Sequence, residues 1–187
     1  MDVYRAIEAR RAYRSLTPEP ITDNIIRDLA HSARLAPSCF NHQPWRFVFV
    51  RDAEKLNAMR EVLSGGNQWA FAASLIVAVF SRAGDDCIIR DRIYHQFDCG
   101  LSVGFLILRA VELGLVAHPI AGFSPKKTRA VLKIPEEYQV IALVIVGRRA
   151  GIANPGLSEK QLAAEKKRPP RKNFDAFASI DAFSIRE

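Results

Sequence analysis

The chain has few cysteines, no paired metal ligands and no glycine-rich nucleotide loop. Its 187 residues include only Cys39, Cys87 and Cys99, whose spacing matches neither a metal-binding pattern nor a redox pair. An odd number of widely spaced cysteines favours free thiols in a reducing, cytoplasmic setting. Because His31 and His118 have no cysteine or carboxylate at ligand spacing, no metal site is expected. The absence of a Gly-x-Gly-x-x-Gly pattern argues against a Rossmann dinucleotide fold.

Neither a targeting signal nor a membrane span is expected. Residues 1–5 (MDVYR) are charged and lack the apolar region of a signal peptide. The most apolar window, residues 101–116, is interrupted by Arg109 and Glu112. Since a membrane span needs about 20 mostly apolar residues, this window predicts a buried helix.

The composition favours a single globular domain over residues 1–187. Hydrophobic residues make up 49% of the chain, which is enough for a sizeable core. The formal net charge of +7 is compatible with nucleic acid, an anionic membrane surface or a phosphorylated ligand. Nucleic-acid binding requires aromatic residues interleaved with the basic runs, and only Tyr13 and Phe174 meet that requirement. We therefore expect neither a nucleic-acid nor a membrane partner.

The apolar pattern and the helix caps predict helices first and then strands that alternate with helices, an order typical of an α+β fold. Two continuous apolar runs, residues 75–80 and 140–147, predict strands buried on both faces. Residues 81–93 are charged and irregular, and they predict no element. The basic, proline-rich segment from about residue 151 is expected to wrap the outside. The other predicted elements are helices at 2–9, 24–35, 52–63 and 96–113 and from Pro125, and strands at 46–50 and 115–121.

Two clusters carry candidate chemistry. Arg10, Arg11 and Arg14 place three guanidinium groups within five residues after the first helix. A planar guanidinium suits phosphate and flat, oxygen-bearing rings, although a solvated positive surface is the alternative. Residues 36–45 (APSCFNHQPW), the 36–45 loop, hold polar side chains and two prolines where a helix meets a strand. Such a stiff loop suits contact with a ligand or an ordinary surface connection.

Five segments, in this order, resemble the FMN-dependent nitroreductase family. They are Arg10-Arg11-x-x-Arg14, the 36–45 loop with the strand after it, Gly114-Leu115, Pro119 to Phe123, and Lys133 to Glu136 before the second apolar run. The match extends from about residue 3 to residue 170. The resemblance implies a central mixed β-sheet flanked by helices. It also implies an intertwined homodimer with FMN at each of two interface sites, and a C-terminal segment that wraps the surface or the partner subunit.

The resemblance further implies a role for each matching residue. The first arginines and the C-terminal cations would contact the phosphate and ribityl chain of FMN, and Arg14 would lie near N1 and O2 of the flavin ring. Asn67 would pair with the pyrimidine, and backbone N–H groups of the 119–122 turn would point at N5 and O4. Residues of the 36–45 loop would reach across from the partner subunit. The implied cofactor-binding residues are Arg10, Arg11, Ala12, Arg14, Pro37, Ser38, Cys39, Asn41, Asn67, Pro119, Ile120, Ala121, Gly122, Lys166 and Arg168.

The implied activity is transfer of hydride from NAD(P)H through flavin N5 to a small acceptor such as a nitroaromatic, a quinone or an enone. Ala121 stands where family members often carry glutamate, which leaves the substrate preference open. The alternatives are a family member that uses reduced FMN for dehalogenation or flavin breakdown, and a non-enzymatic FMN-binding protein. No side chain is assigned as acid, base or nucleophile, because Cys39 and His42 have no structural reason to form a dyad.

Overall fold

Two apolar segments form the centre of a β-sheet. The computed structural model of the protein describes residues 1–184. In it, strand β3 (Leu75–Ser81) is buried at all seven of its positions, and β7 (Gln139–Arg149) has eleven residues, most of them buried in its middle. The two strands pair antiparallel from Leu75↔Val146 to Ser81↔Gln139. The two buried strands predicted from the apolar runs are confirmed.

The other strands of the sheet pair with these two. Strand β2 (Arg46–Val50) pairs with β3, whereas β1 (Leu16–Thr17) and β6 (Val116–Ile120) pair with β7. The predicted helix-flanked α+β architecture is confirmed, but every pairing of these strands is antiparallel, where a mixed sheet was expected. The reason lies in the connections, because the links from β2 to β3 and from β6 to β7 start each new strand at the end of the sheet where the previous one stopped.

Strand β3 divides its side chains between two hydrophobic cores. Successive side chains of a strand point to opposite faces, so Leu75, Val77 and Val79 contribute to one core. Ile76, Ala78 and Phe80 contribute to the other core. Helices therefore cover both faces of the sheet, and a side chain on either face is shielded from water.

The helices begin close to their predicted residues because side-chain caps start them. Thr22 caps α2 by accepting from the backbone N–H of Ile25, and Ser124 caps α5 ahead of Pro125. The helices are α1 (Val3–Ala9), α2 (Asp23–Arg34), α3 (Ala53–Arg60), α4 (His95–Glu112), α5 (Pro125–Leu132) and α6 (Glu159–Lys166).

One sequence prediction of secondary structure is wrong, and one segment that the sequence left unplaced contains a hairpin. Helix α3 ends at Arg60 instead of continuing to Leu63, because the backbone N–H groups of Val62 and Leu63 donate to the carbonyls three residues back, those of Met59 and Arg60, instead of four. Leu63 forms an isolated bridge with Phe123. Residues 81–93, for which no element was predicted, contain a small hairpin of β4 (Ile88–Ile89) and β5 (Arg92–Ile93).

The apolar window at residues 101–116 lies mostly in α4, which packs against α2 and the sheet. The Ser102 hydroxyl donates to the carbonyl of Ala33 at 2.9 Å, and Arg109 forms paired hydrogen bonds with the carboxylate of Asp28. The window is helical as predicted, but in the single chain the helix is buried on one side only, because Phe105 is 42% exposed. None of the helices in residues 1–184 combines the length and the apolar character that a bilayer crossing requires.

The expectation of free thiols is wrong for two of the three cysteines. Cys39 and Cys87 form a disulfide with a Cα–Cα distance of 6.0 Å. Only Cys99 is a free cysteine in residues 1–184, and it is buried in α4, where burial raises its pKa to about 11. The disulfide joins positions 48 residues apart, a proximity that spacing in the sequence cannot show. A cytoplasmic location remains a prediction, and it loses the support of free thiols.

Candidate functional site

The arginines that follow α1 and those that follow α6 line one small cavity, the basic cavity. Its volume is about 140 Å³, which leaves room for several water molecules or a phosphate group. The tertiary structure thus brings together two basic segments that lie at opposite ends of the chain. The lining residues are Arg10, Arg11, Ala12, Arg14, Ala164, Arg168, Pro169 and Arg171.

Hydrogen bonds tie the C-terminal helix to the N-terminal arginines. Arg11 Nη2 donates to the carbonyl oxygens of Ala164 at 2.7 Å and Glu165 at 3.3 Å. These carbonyls lie at the end of α6, where the helix dipole favours a cation. Arg168 Nη2 donates in the opposite direction, to the carbonyl of Arg10 at 2.9 Å. The two basic segments are therefore held together by hydrogen bonds from arginine side chains to main-chain carbonyls.

One carboxylate, that of Glu165, lies beside the basic cavity. Its Oε1 accepts hydrogen bonds from the backbone N–H of Ser15 at 2.9 Å and from that of Arg14. Burial opposes ionisation, but hydrogen bonds from Ser15 and Arg14, together with the charge of Arg149, lower the pKa of the Glu165 carboxyl below its ordinary value. Glu165 is thus charged at neutral pH and bonded to the main chain.

The positive charges around the basic cavity lack compensation. Among residues 1–184, no carboxylate forms an ion pair with Arg10, Arg11, Arg14, Arg168 or Arg171. Partial burial, and then the like charges of Arg168, Arg171 and Arg11, lower the pKa of Arg10. Like charges held together in this way favour a bound anion, which relieves their repulsion.

A second set of contacts, the 67–122 junction, joins Asn67, Trp69 and Gly122. The amide Nδ2 of Asn67 donates to the carbonyl of Gly122 at 2.9 Å, and Trp69 Nε1 donates to Asn67 Oδ1 at 3.1 Å. The Arg14 guanidinium lies 5.9 Å from the centroid of the Trp69 ring, within reach of a cation–π contact. Arg14 therefore connects the 67–122 junction to the basic cavity.

His118 is buried behind the same tryptophan. Its ring stacks on Trp69 with centroids 4.7 Å apart, and its Nδ1 lies 3.1 Å from the carbonyl oxygen of Tyr13. A carbonyl only accepts, so Nδ1 carries the proton. Burial, aided by the charges of Arg14 and Arg10, lowers the pKa of His118 to about 4. His118 is therefore neutral at physiological pH and supports the N-terminal segment.

Residues 119–122 comprise the last two residues of β6 and the two that follow it, and they alternate between buried and open positions. Ile120 is buried, whereas Pro119 and Ala121 are exposed. Within residues 1–184, the backbone N–H groups of Ala121 and Gly122 have no hydrogen-bond acceptor. Two adjacent main-chain donors are thus available to a ligand beside the 67–122 junction.

The 36–45 loop lies apart from these contacts in the single chain. Phe40, Asn41 and Gln43 adopt positive φ angles of 45°, 57° and 52°, which non-glycine residues rarely adopt. The Ser38 hydroxyl accepts from the backbone N–H of Gln43 at 3.0 Å, and Cys39 forms the disulfide. Pro37 and Asn41 are exposed. No hydrogen bond or ion pair among residues 1–184 joins the loop to the basic cavity.

The structure places residues at the candidate site that the sequence left unassigned, and it places one predicted residue outside the basic cavity. Arg171 lines the basic cavity, whereas Lys166 is exposed and does not line it. Three further residues have positioning roles: Trp69 bonds Asn67, His118 bonds the carbonyl of Tyr13, and Glu165 bonds the main chain at Ser15. No sequence signal links Glu165 to Ser15, which lies 150 residues away along the chain.

We expect Gly122→Ala to destabilise the 67–122 junction. A Cβ on Gly122 would overlap Nδ2 of Asn67, so the amide would have to turn away. The change would cost the hydrogen bonds from Asn67 to Gly122 and from Trp69 to Asn67, about 1–2 kcal/mol of the free energy of unfolding. Chemical denaturation of the cofactor-free protein measures this loss.

Two variants control the Gly122 experiment. Gly65→Ala is the matched glycine change, since no atom lies within 4 Å of a Cβ there, and it should be nearly neutral. In an Asn67→Ala background, Gly122→Ala should cost far less, because the overlapping atom is gone. An equal loss in both backgrounds would contradict the assigned overlap.

Comparisons with known proteins agree with this architecture. The model of the Nitroreductase family matches residues 7–148. A protein of Thermus thermophilus named NADH dehydrogenase is 26% identical over 178 residues, covering 79% of this chain and 86% of the relative. An iodotyrosine deiodinase of Haliscomenobacter hydrossis is 27% identical over 192 residues, covering 87% and 86%. A solved structure described as an oxidoreductase containing FMN superposes with a TM-score of 0.83 at 28% identity, covering 100% of this chain and 94% of that one. The chain belongs to the nitroreductase family.

Proposed function

We propose that this protein is an NAD(P)H-dependent FMN oxidoreductase that passes hydride to a small oxidising acceptor. The basic cavity is the observation that carries the proposal, because five arginines converge there without a carboxylate partner in residues 1–184. FMN, when bound, supplies hydride acceptance and donation at N5. The protein supplies binding, orientation and electrostatic stabilisation.

The residues of the site fit FMN in two respects. The basic cavity offers uncompensated guanidinium groups to a phosphate dianion. The N–H groups of Ala121 and Gly122 offer two unpaired main-chain donors, of the kind that would hold the electron-accepting edge of a flavin. Because a main-chain donor does not depend on its side chain, Ala121 can serve as well as a larger residue.

The roles of the chain's residues follow from their positions. Arg10, Arg168 and Arg171 hold the phosphate, with Arg11 fixing α6 behind them. Arg14 places a permanent positive charge next to the 67–122 junction, where it stabilises negative charge that develops on the ligand. No side-chain acid or base is required, because hydride moves between the cofactor and the bound substrates.

A homodimer completes the proposed site. Pro37, Ser38, Cys39 and Asn41 make no contact with the basic cavity of their own chain within residues 1–184, so the role proposed for them requires the loop of a second subunit. Since Ser38 already accepts from Gln43 and Cys39 is in a disulfide, the loop would present main-chain groups and Asn41 rather than a free thiol.

The second candidate function is reductive dehalogenation, which the similarity to an iodotyrosine deiodinase favours. A halogenated phenol would need a covering segment above the ring. Residues 81–94 form only a short turn and a hairpin of two-residue strands, which provides little cover. We therefore rank nitroaromatic, quinone and enone acceptors above halotyrosines.

Anaerobic stopped-flow spectroscopy tests the proposal. The protein is reconstituted with FMN, mixed with NADH or NADPH, and then mixed with an acceptor. We expect the donor to bleach the flavin absorbance and a nitroaromatic or quinone to restore it, with an iodotyrosine as the alternative acceptor. A preparation that stays colourless after reconstitution would disprove FMN binding. If flavin binds but neither donor bleaches it, the protein binds FMN without acting as an NAD(P)H-dependent oxidoreductase.

A further inference from the structure

The disulfide of Cys39 and Cys87 lies within a set of potential metal ligands. The two Sγ atoms and a carboxylate oxygen of Asp86 all lie within 4.8 Å of one another. The imidazole Nδ1 of His42 lies 3.8 Å from Sγ of Cys87 and 3.5 Å from Oδ1 of Asp86. The two sulfurs and the Asp86 carboxylate therefore form one cluster, and the His42 imidazole lies beside its Cys87 and Asp86 members.

These separations suit the edges of a tetrahedral zinc site. With Zn–S near 2.3 Å and Zn–N or Zn–O near 2.05 Å, the N···S edge is about 3.6 Å and the N···O edge is about 3.3 Å. The distances from His42 to Cys87 and Asp86, 3.8 and 3.5 Å, are close to these values. The His42 side chain is 45% exposed, so its ring is free to adjust.

Asp86 provides independent support for a cation. Its side chain is fully buried, and its Oδ1 accepts from the backbone N–H of Cys87 at 2.8 Å. Its Oδ2 is buried and has no hydrogen-bond partner among residues 1–184. An unpartnered buried carboxylate oxygen is costly, and a metal ion held by both oxygens of this carboxylate would satisfy it.

Hydrogen bonds to the main chain hold both cysteines in addition to the S–S bond. Asp98 Oδ2 accepts from the backbone N–H of Cys39 at 2.7 Å, and Asp86 holds Cys87 in the same way. The positive φ angles at Phe40 and Asn41 turn the chain so that His42 faces Cys87. Such backbone outliers are often found where function requires them.

We propose that the reduced protein binds one Zn²⁺ through Cys39, Cys87, His42 and Asp86. A small-molecule dithiol reduces the disulfide: it gives up two electrons and two protons, becomes a cyclic disulfide, and leaves two protein thiols. Zn²⁺ then displaces both thiol protons and is held by two thiolates, the imidazole and the carboxylate. Oxidation by a small-molecule disulfide reverses the process, because that molecule becomes two thiols while the protein disulfide re-forms and the zinc is released.

The site shares Cys39 with the loop that is proposed to reach the partner's flavin, so its test uses FMN-free protein and measures bound metal instead of activity. The full-length, FMN-free protein is reduced anaerobically with a water-soluble phosphine, which is oxidised to the phosphine oxide. It is then incubated with Zn²⁺, desalted and analysed for metal. We expect about one zinc per chain in the reduced protein and almost none in the oxidised protein. With Co²⁺, the reduced protein should show thiolate-to-cobalt charge-transfer bands and intense tetrahedral d–d bands.

Single substitutions distinguish this site from adventitious binding. Cys39→Ser should abolish zinc retention, whereas Cys99→Ser, which changes the free buried cysteine, should retain it. Asp86→Asn should lower zinc affinity by at least about tenfold. Equal zinc retention by the reduced wild type and Cys39→Ser would overturn the proposal, as would a cobalt spectrum without thiolate bands. The comparison of the reduced and oxidised wild type decides the question even if a variant fails to fold.

Discussion

Replacing Arg10 and Arg171 together with glutamine is expected to weaken FMN binding by about 100-fold or more. A hydrogen bond to a charged group contributes about 1.5–3 kcal/mol, so the loss of two such bonds to the phosphate amounts to at least about 3 kcal/mol, or about 100-fold in Kd. The unliganded protein should lose little stability, since burial and like charges already lower the pKa of Arg10. Fluorescence titration of flavin measures the affinity.

Riboflavin and a neighbouring lysine provide the controls. Riboflavin lacks the phosphate, so the double variant should bind it about as well as the wild type does. Lys172→Gln changes a cation in the same segment that does not line the basic cavity, and it should leave the affinity for FMN nearly unchanged. An equal loss for FMN and riboflavin would mean that the two arginines act on the fold or on the ring rather than on the phosphate.

The second large effect is a dependence of stability on pH that comes from His118. Its pKa is about 4 in the folded protein and near 6.5 when unfolded, so the unfolded state binds more protons between these values. The free energy of unfolding should therefore fall as the pH drops through this window. From about pH 7 to about pH 4.5, the contribution of His118 falls by about 2 kcal/mol. Denaturation of the cofactor-free protein at several pH values measures it.

A comparison of variants separates the contribution of His118 to the pH dependence of stability from that of carboxylates that titrate in the same pH range. His118→Gln keeps a side-chain donor for the carbonyl of Tyr13 but cannot be protonated, so its stability should depend less on pH over this range. His31→Gln removes an exposed histidine of α2 and should retain the wild-type slope. If His118→Gln has the same slope as the wild type, the buried imidazole does not cause the dependence.

Much of the fold could be predicted because it depends on local patterns. The apolar runs at 75–80 and 140–147 predicted the two central strands, and the caps Thr22 and Ser124 predicted where α2 and α5 begin. The error at the end of α3 arose where the chain tightens to hydrogen bonds three residues back. The segment is held there by a hydrogen bond from Ser124 to the carbonyl of Val62, and no pattern near residue 62 shows that partner.

The candidate site was predictable only in part. The compact cluster at Arg10, Arg11 and Arg14 was visible in the sequence as a possible anion site, and the order of five segments identified the family. The sequence could not show that Arg171 lines the basic cavity and Lys166 does not, because this depends on how the chain turns after α6. The roles of Glu165 and His118 also depend on burial against residues far away in the sequence.

The amino-acid order therefore decides the local features of this protein: the buried strands, the helix caps and the basic character of its two ends. These depend on side-chain chemistry and on periods of a few residues. The tertiary structure alone decides that the two basic ends share one cavity and that Asn67 meets Gly122. It alone joins Cys39 to Cys87, beside Asp86, because contacts between distant positions form only when the whole chain packs.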